Sequence, residues 1–263
     1  MQLPECRILL TGATGGIGQP LAERLAHGGA RLLLAGRDAR QLDALAGRCQ
    51  GRAETVCADI TGGDGREAVL QAARRMGGVN LLINAAGVNR FGLLEQQDDA
   101  ALAALLQLNV TATLQLTRAL LPMLRQQERA MVVNIGSTFG SIGYPGHAAY
   151  CASKFALRGF SEALRRELAD TRVKVLYIAP RATRTSMNEQ SVVAMNDELK
   201  VAMDEPAWVA EAVVAAIGHE REELYLGWPE KLFVRLNSLL PRVVDQALRK
   251  QLPIIQRFAR GKS

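Results

Sequence analysis

Only four cysteines occur in the 263 residues, at positions 6, 49, 57 and 151. They show neither metal-ligand spacing nor a paired framework, which excludes a disulfide-stapled scaffold and makes a reduced cytoplasm the expected setting. No stretch approaches the ~18 uninterrupted apolar residues of a membrane-spanning helix. Met1-Gln-Leu-Pro-Glu-Cys6 enters an apolar run directly, leaving no room for a signal peptide. There is no polar low-complexity run to suggest disorder, no repeat at solenoid period, and no Pro/Gly/Ser-rich linker before residue 180. What the chain does have is 48% hydrophobic residues, ample for a large core.

Those residues are arranged in alternating runs. Apolar stretches at 7–10, 31–35, 55–58, 79–83, 131–136 and 173–178 predict strands, with a seventh at 223–226. Helical stretches fall between them at 17–27, 39–47, 65–76, about 98–124, and from Tyr150 to about Ala169. Strands alternating with helices imply right-handed crossovers and a parallel sheet covered on both faces. The expected architecture is α/β: one doubly wound Rossmann-type domain over residues 1–227, with a helical tail at 228–263 that is not an independent domain. A ligand should lie outside the carboxyl ends of the strands.

Two clusters carry the chemistry. The first is Thr11-Gly12-Ala-Thr-Gly-Gly16-Ile-Gly18. Gly12 permits a sharp turn after the first strand, and Gly16 and Gly18 permit close backbone approach to a pyrophosphate. The helix N-terminus near Ile17 then faces the phosphate charge. The second is Tyr150-Cys-Ala-Ser-Lys154, thirteen residues after Ser137. Four residues apart on a helix, Tyr150 and Lys154 share a face. A free phenol titrates near 10, so bringing it toward neutrality requires roughly 4 kcal/mol at about 1.36 kcal/mol per unit. A neighbouring ammonium and the positive ring of an oxidised nicotinamide both favour the phenolate. A hydroxyl at Ser137, closing a buried strand, can hold a substrate oxygen while Tyr150 exchanges its proton.

In this order, the glycine turn, Asp59-Ile60, Asn84-Ala-Ala-Gly87, Asn109, Ser137, Tyr150/Lys154 and the run Pro180 to Thr185 resemble the short-chain dehydrogenase/reductase family, in its shorter single-domain branch. The resemblance covers roughly residues 5 to 227. It implies a catalytic centre of Ser137, Tyr150 and Lys154, with Asn109 anchoring a proton-relay water and Lys154 also reaching the nicotinamide ribose. It implies a cofactor site in which Gly12, Gly15, Gly16, Ile17 and Gly18 approach the pyrophosphate and Asp59 and Ile60 contact the adenine. Asn84, Ala85, Ala86 and Gly87 would line the adenine-ribose side, Asn84 serving equally as sheet support. Pro180, Thr183 and Thr185 would stand at the carboxamide.

The cofactor choice is read at the end of the second strand. An NAD enzyme usually places a carboxylate there; this chain has Gly36-Arg37. A guanidinium suits a 2′-phosphate, with the Thr14 hydroxyl as a second donor, so NADP(H) is favoured over NAD(H). The plainer reading is a solvated Arg37 before an N-capping Asp38.

The chain departs from the family pattern at Pro180-Arg181, where Pro-Gly is usual. Arg181 and Arg184 would either receive an anionic substrate at the mouth of the cleft or pair with acids nearby. Residues 186–203 are the natural lid, and Cys151 is expected to pack away from the cleft. Residues 228–263 hold eight Lys/Arg against two Asp/Glu, while the first 227 hold twenty-four of each, so the whole +6 excess lies in the tail. Its apolar residues recur near helical spacing until Pro253 interrupts. Such a basic amphipathic helix can pack on the body or a partner subunit, or lie on an anionic membrane as a peripheral contact. Nucleic acid is not expected as a partner, since no recognition motif accompanies the charge.

The expected activity is NADP-dependent hydride transfer to or from a small-molecule carbonyl/alcohol pair, with a fairly apolar ketone or aldehyde as substrate. The protein is expected to act as a homodimer or homotetramer. The alternative is a catalytically silent NADP(H)-sensing protein, a reading that loss of Ser137, Tyr150 or Lys154 would have favoured; all three are present.

Overall fold

The computed structural model describes residues 1–261; positions 262 and 263, the last two of the basic tail, lie outside the described residues. Seven parallel strands form one sheet in the order β3-β2-β1-β4-β5-β6-β7. They are β1 (Arg7–Thr11), β2 (Arg31–Gly36), β3 (Ala53–Cys57), β4 (Leu81–Asn84), β5 (Ala130–Ile135), β6 (Val173–Ala179) and β7 (Glu223–Tyr225). Every residue of β4 and β5 is buried, as parallel strands covered on both faces require.

Alternation along β1 divides the core in two. Ile8 and Leu10 join the cluster built with α1 (Gly18–His27), α2 (Ala39–Arg48) and α8 (Pro206–His219). Leu9 points the other way, into the cluster of α3 (Gly63–Arg75), α5 (Thr113–Arg125) and α6 (Ala148–Glu167). The strand order reverses between β1 and β4, where Thr11 pairs with Asn84. At that switch point the chain leaves β1 through Gly12, whose φ is +64°. A Cβ on Gly12 would come within 2.7 Å of the Ala86 backbone, so the crevice needs glycine on both counts.

Several elements differ from the sequence expectation. The long helix at 98–124 is α4 (Asp99–Leu106) and α5 joined through a wide π turn at Gln107–Ala112. Asp99–Arg125 has the length and composition to cross a bilayer, although Gln and Thr interrupt its apolar residues, and Leu105, Leu116, Leu120 and Leu124 along it are core. Helix α8 gave no periodic signal because apolar residues encircle nearly all of it. Its Val209, Ala210, Val213, Ala216 and Ile217 are buried, and it packs on α1. The lid contains α7 (Gln190–Glu198).

The tail is two helices rather than one, α9 (Glu230–Leu239) and α10 (Pro241–Ala259). The break falls at Leu240-Pro241, not at Pro253, which lies inside α10. Pro253 is exposed, where water can satisfy the carbonyl that loses its partner. The tail packs on the body. Ile255 of α10 is fully buried against Val192 and Met195 of α7, with Phe91, Tyr144 and Phe258 around them. The Tyr144 hydroxyl donates to Gln251 Oε1 at 3.2 Å, Asn237 Nδ2 donates to the Ser141 carbonyl at 2.9 Å, and Arg257 pairs with Glu198. The outer face of α9 and of the α9–α10 turn stays uncovered.

Candidate active site

β5 delivers Gly136 and Ser137 to the mouth of the crevice. The Ser137 hydroxyl accepts from the Phe139 amide at 3.1 Å. Behind it, the Tyr177 hydroxyl donates to the Ser137 carbonyl at 3.1 Å and accepts from its amide at 3.4 Å. A Cβ on Gly136 would strike the Tyr177 ring at 2.3 Å. Ser137 is thus held from behind by a buried tyrosine that fits only because its neighbour has no side chain.

Tyr150 and Lys154 come from the first turns of α6. Lys154 Nζ stands 5.6 Å from the Tyr150 ring centroid and donates to the Ile135 carbonyl at 3.1 Å. Burial pulls the lysine down to about 8. Burial also pushes the Tyr150 phenol up to about 12, against the pull of the Ser137 hydroxyl and with a smaller push from Cys151. The Tyr150/Lys154 spacing predicts an ammonium that, with an oxidised nicotinamide, draws the phenol toward neutrality. From protein groups alone desolvation wins, and the phenol stays protonated.

Asn109 sits in the π turn, 1% exposed. Both of its amide hydrogens are committed, to the Val88 carbonyl at 2.9 Å and Ser153 Oγ at 3.0 Å, and its Oδ1 accepts from the Val88 amide at 2.8 Å. The side chain therefore ties α6 to the loop after β4. Any relay contact falls to the second lone pair of Oδ1 or to the main chain of the widened turn.

Along the cofactor side, no side chain caps α1; the Gln19 amide is taken by the Gly15 carbonyl at 3.0 Å and Pro20 has none, which leaves the amides of Ile17 and Gly18 at the crevice. Gly12, Gly15, Gly16, Ile17, Gly18, Ala85 and Gly87 all line the cavity, with Pro180, Thr183 and Thr185 opposite. A Cβ on Gly16 would meet the Thr185 side chain at 2.4 Å, which places that threonine directly over the glycine turn. Asn84 does not reach the cavity with its side chain. It is 3% exposed, and Nδ2 donates to Thr117 Oγ1 at 3.1 Å and Asn134 Oδ1 at 2.9 Å, holding β4 to β5 and α5.

At the far end, Arg37 is exposed and Asp38 caps α2, accepting from the Gln41 amide at 3.1 Å. The Thr14 hydroxyl lies 3.6 Å from where a Gly36 Cβ would be, so Thr14 and the Gly36-Arg37 corner adjoin. Asp59 accepts from the Thr61 amide and hydroxyl, which hold its carboxyl below the usual range, and the Arg37 charge acts in the same direction. Ile60 is buried beside it, at 6% exposure. These groups stand beyond the walls of the central cavity, together with Ala86.

Arg181 does not open onto the cleft as a free cation. Its Nε and Nη2 donate to Asp204 Oδ1 at 3.0 and 2.7 Å, and its Nη1 to Glu230 Oε2 at 3.0 Å and the Trp228 carbonyl at 3.1 Å. One guanidinium thereby joins the end of β6, the end of the lid and the start of α9. The Asp204 amide and carbonyl also bond Ala182 and Arg184, so the lid's end runs beside Thr183 as a short bridge. Arg184 pairs with Glu205 at 3.3 Å on the surface. Both arginines are spent within the chain.

Other wall residues gave no sequence signal. Phe139 stacks on Tyr144 at 4.9 Å, and Phe91 tilts against His147 at 5.0 Å. His147, 2% exposed, meets Asn89 Oδ1 through Nδ1 at 3.1 Å, and burial draws its pKa down to about 4. Its place just ahead of α6, three residues before Tyr150, was the available clue. From the tail, Phe233, Leu236, Val243, Val244 and Leu248 complete the wall. Cys151 turns away: its Sγ accepts from the Tyr144 amide at 3.3 Å. Together these residues enclose about 390 Å³, running from the glycine turn past Tyr150 to the tail.

The short chain dehydrogenase family model matches residues 7–196. Nodulation protein G of Rhizobium sp. (strain N33) is 33% identical over 216 residues, 82% of each chain. Among solved structures, a short chain dehydrogenase from Burkholderia cenocepacia in complex with NADP is 29% identical with a TM-score of 0.81, covering 94% of this chain and 99% of that one. The 3-ketoacyl-(acyl-carrier-protein) reductase from Brucella melitensis complexed with NADH is 25% identical with a TM-score of 0.79, covering 87% and 99%.

Proposed function

The chain belongs to the short-chain dehydrogenase/reductase family, an oxidoreductase fold that works with a nicotinamide cofactor, and from that premise we propose that it is an NADP-dependent reductase of apolar ketones or aldehydes. The observation that carries this reading is a single cavity with Ser137, Tyr150 and Lys154 at its waist. Backbone lines one end of it and apolar side chains the other.

The residues fit a dinucleotide. The Gly12 turn has no room for side chains, and α1 presents an uncapped N-terminus. A nicotinamide bound there supplies or takes up the hydride at the carbonyl carbon. Ser137, braced by Tyr177, holds the substrate oxygen. Tyr150 donates its proton to that oxygen. A phenol held near 12 by burial is protonated at neutral pH, the form that reduction consumes. Lys154 fixes the geometry through Ile135 and favours the phenolate left after transfer. Asn109 aligns α6 and stands where a relay water would restore the proton.

Arg37 and Thr14 adjoin at the second strand's end with no acid at position 37, which supports NADP as the cofactor. Asp59 and Ile60 serve the adenine end. Residues 228–261 act as part of the catalytic body, not as a separate domain, because they supply cavity wall. We infer a cytoplasmic homodimer or homotetramer, with the tail's outer face available for peripheral membrane contact.

A screen of carbonyl compounds followed by NADPH absorbance tests the activity. Turnover is expected with apolar ketones or aldehydes. In Tyr150→Phe it should vanish while NADPH affinity, measured by calorimetry, stays nearly unchanged. Substantial turnover in Tyr150→Phe would overturn the proton-transfer role, and no turnover of any carbonyl would favour a sensing protein.

A further inference from the structure

Six of the eleven large hydrophobic side chains exposed among the described residues fall between positions 228 and 243. Leu239 is 79% exposed and Leu240 56%, at the turn where α9 gives way to α10. At about 100° per residue, Leu232, Phe233, Leu236 and Leu239 share an arc of roughly 120° on α9, and Leu240 follows at its C-cap. Lys231 and Arg235 flank that arc, Arg242 follows the turn, and all three are exposed. The acids do not balance them: of the tail's two, Glu230 is held by Arg181, and exposed Asp245, three residues after Arg242, stands alone against the three. Long basic side chains can lay their stems along an apolar surface and keep their charges at its rim.

Two of these residues face two ways. Phe233 (42% exposed) and Val243 (49%) lie on the outer surface and also line the cavity that holds Tyr150. The same lining holds Leu236, Val244 and Met195, with Gln251 and Asn196 among its polar members.

We propose that the α9–α10 elbow docks on an anionic lipid bilayer and that a membrane-dissolved carbonyl compound enters the cavity between Phe233 and Val243. The second half rests on the carbonyl-reductase reading above; the docking half stands on the surface alone. A second copy of the chain is the poorer occupant. A symmetric contact would bring Lys231, Arg235 and Arg242 of both copies into one interface, doubling its positive charge, whereas a negative surface complements them. Leu239 and Leu240 enter the bilayer at the tip, and the rim charges settle among the headgroups.

The experiment uses the full chain with vesicles of phosphatidylcholine, with and without a quarter phosphatidylglycerol. Flotation should show binding to the anionic vesicles, much weaker binding to the neutral ones, and loss of binding as salt rises to roughly 0.5 M. The triple variant Lys231→Gln/Arg235→Gln/Arg242→Gln should weaken binding on the order of a hundredfold at low salt, at about fivefold per basic residue. Leu239→Glu/Leu240→Glu should abolish it, and neither residue lines the cavity. With a short water-soluble ketone that double variant should turn over as the parent does. With a long-chain ketone dissolved in anionic vesicles it should lose the acceleration the parent gains.

Equal binding to both lipids, or to neither, would overturn the docking surface. So would a loss of oligomeric mass in Leu239→Glu/Leu240→Glu on sedimentation, which would give the face to a second copy. Docking without any gain for the vesicle-borne ketone would overturn the entry route. Failure of the reductase reading looks different: no carbonyl is turned over in solution or in vesicles, while binding to anionic vesicles persists.

Discussion

At the scale of single residues, burial outweighs charge pairing around the cleft. His147 shows it most simply. Its folded pKa of about 4 lies below the ordinary 6.5, so the unfolded chain binds the extra proton between those values. Stability from this group is therefore present above pH 6.5 and lost as pH falls toward 4, on the order of 3 kcal/mol at about 1.36 kcal/mol per pH unit. Denaturation curves of His147→Asn should be flatter than the parent's across that window. A slope equal to the parent's would mean that His147 is protonated in the folded protein. Arg37 belongs to the opposite case, an exposed cation for which the proposed NADP reading supplies a partner. Arg37→Ala should weaken NADPH binding by about 1–3 kcal/mol, the range of a charge-assisted hydrogen bond, and NADH far less. Equal losses in calorimetry would detach Arg37 from the 2′-phosphate. That Ser137, Tyr150 and Lys154 converge on one cavity was legible from their spacing. Tyr177 and His147 were not, since a tyrosine in a strand and a histidine before a helix are ordinary in sequence and acquire roles only from what packs beside them.

At the scale of elements, the six strands before residue 180 were legible from period alone, as were five helical stretches, one of which the structure divides into α4 and α5. What the sequence hid has physical causes. Helix α8 is apolar nearly all round, and the π turn around Asn109 changes pitch without changing hydrophobic pattern. Pro253 misled because proline breaks a helix only where the lost hydrogen bond cannot be replaced. The resemblance exposed Arg181 as a departure, but its partners Asp204 and Glu230 lie 23 and 49 residues away, beyond any local signal. Because Asp204 is only 8% exposed, Arg181→Gly strands a carboxylate with little access to water. The expected loss is on the order of 3 kcal/mol, in the range for breaking a buried pair. Arg181→Lys should recover only part of it, because an ammonium cannot hold Asp204, Glu230 and the Trp228 carbonyl with a fixed fork. Urea denaturation of the two variants checks both; a full recovery by lysine would show that charge alone matters.

At the scale of the whole molecule, the doubly wound sheet was readable from alternating runs, whereas the destination of the tail was not, because an amphipathic stripe does not name its partner. In the structure it covers the lid and closes the cavity. Truncation after Gly227 should lower the melting temperature and promote aggregation, as Val192, Met195 and Phe91 lose Ile255. A truncated protein as stable and soluble as the parent would show that the tail's packing contributes nothing.

The Arg181 junction has a thermodynamic corollary. Thr183 at the cavity and Thr185 over the glycine turn follow closely on a residue whose side chain grips both the lid's end and α9. A molecule that favours the closed arrangement of those helices therefore favours the arrangement of the threonines. Binding free energies obey reciprocity, so whatever factor the cofactor adds to the affinity for an apolar guest, the guest must return to the cofactor. In an enzyme with glycine at this position the two affinities have no such side-chain tie. Here one guanidinium adds such a tie, and Arg181→Gly should shrink the factor by which each ligand raises the affinity for the other, leaving whatever their direct contact in the cleft supplies.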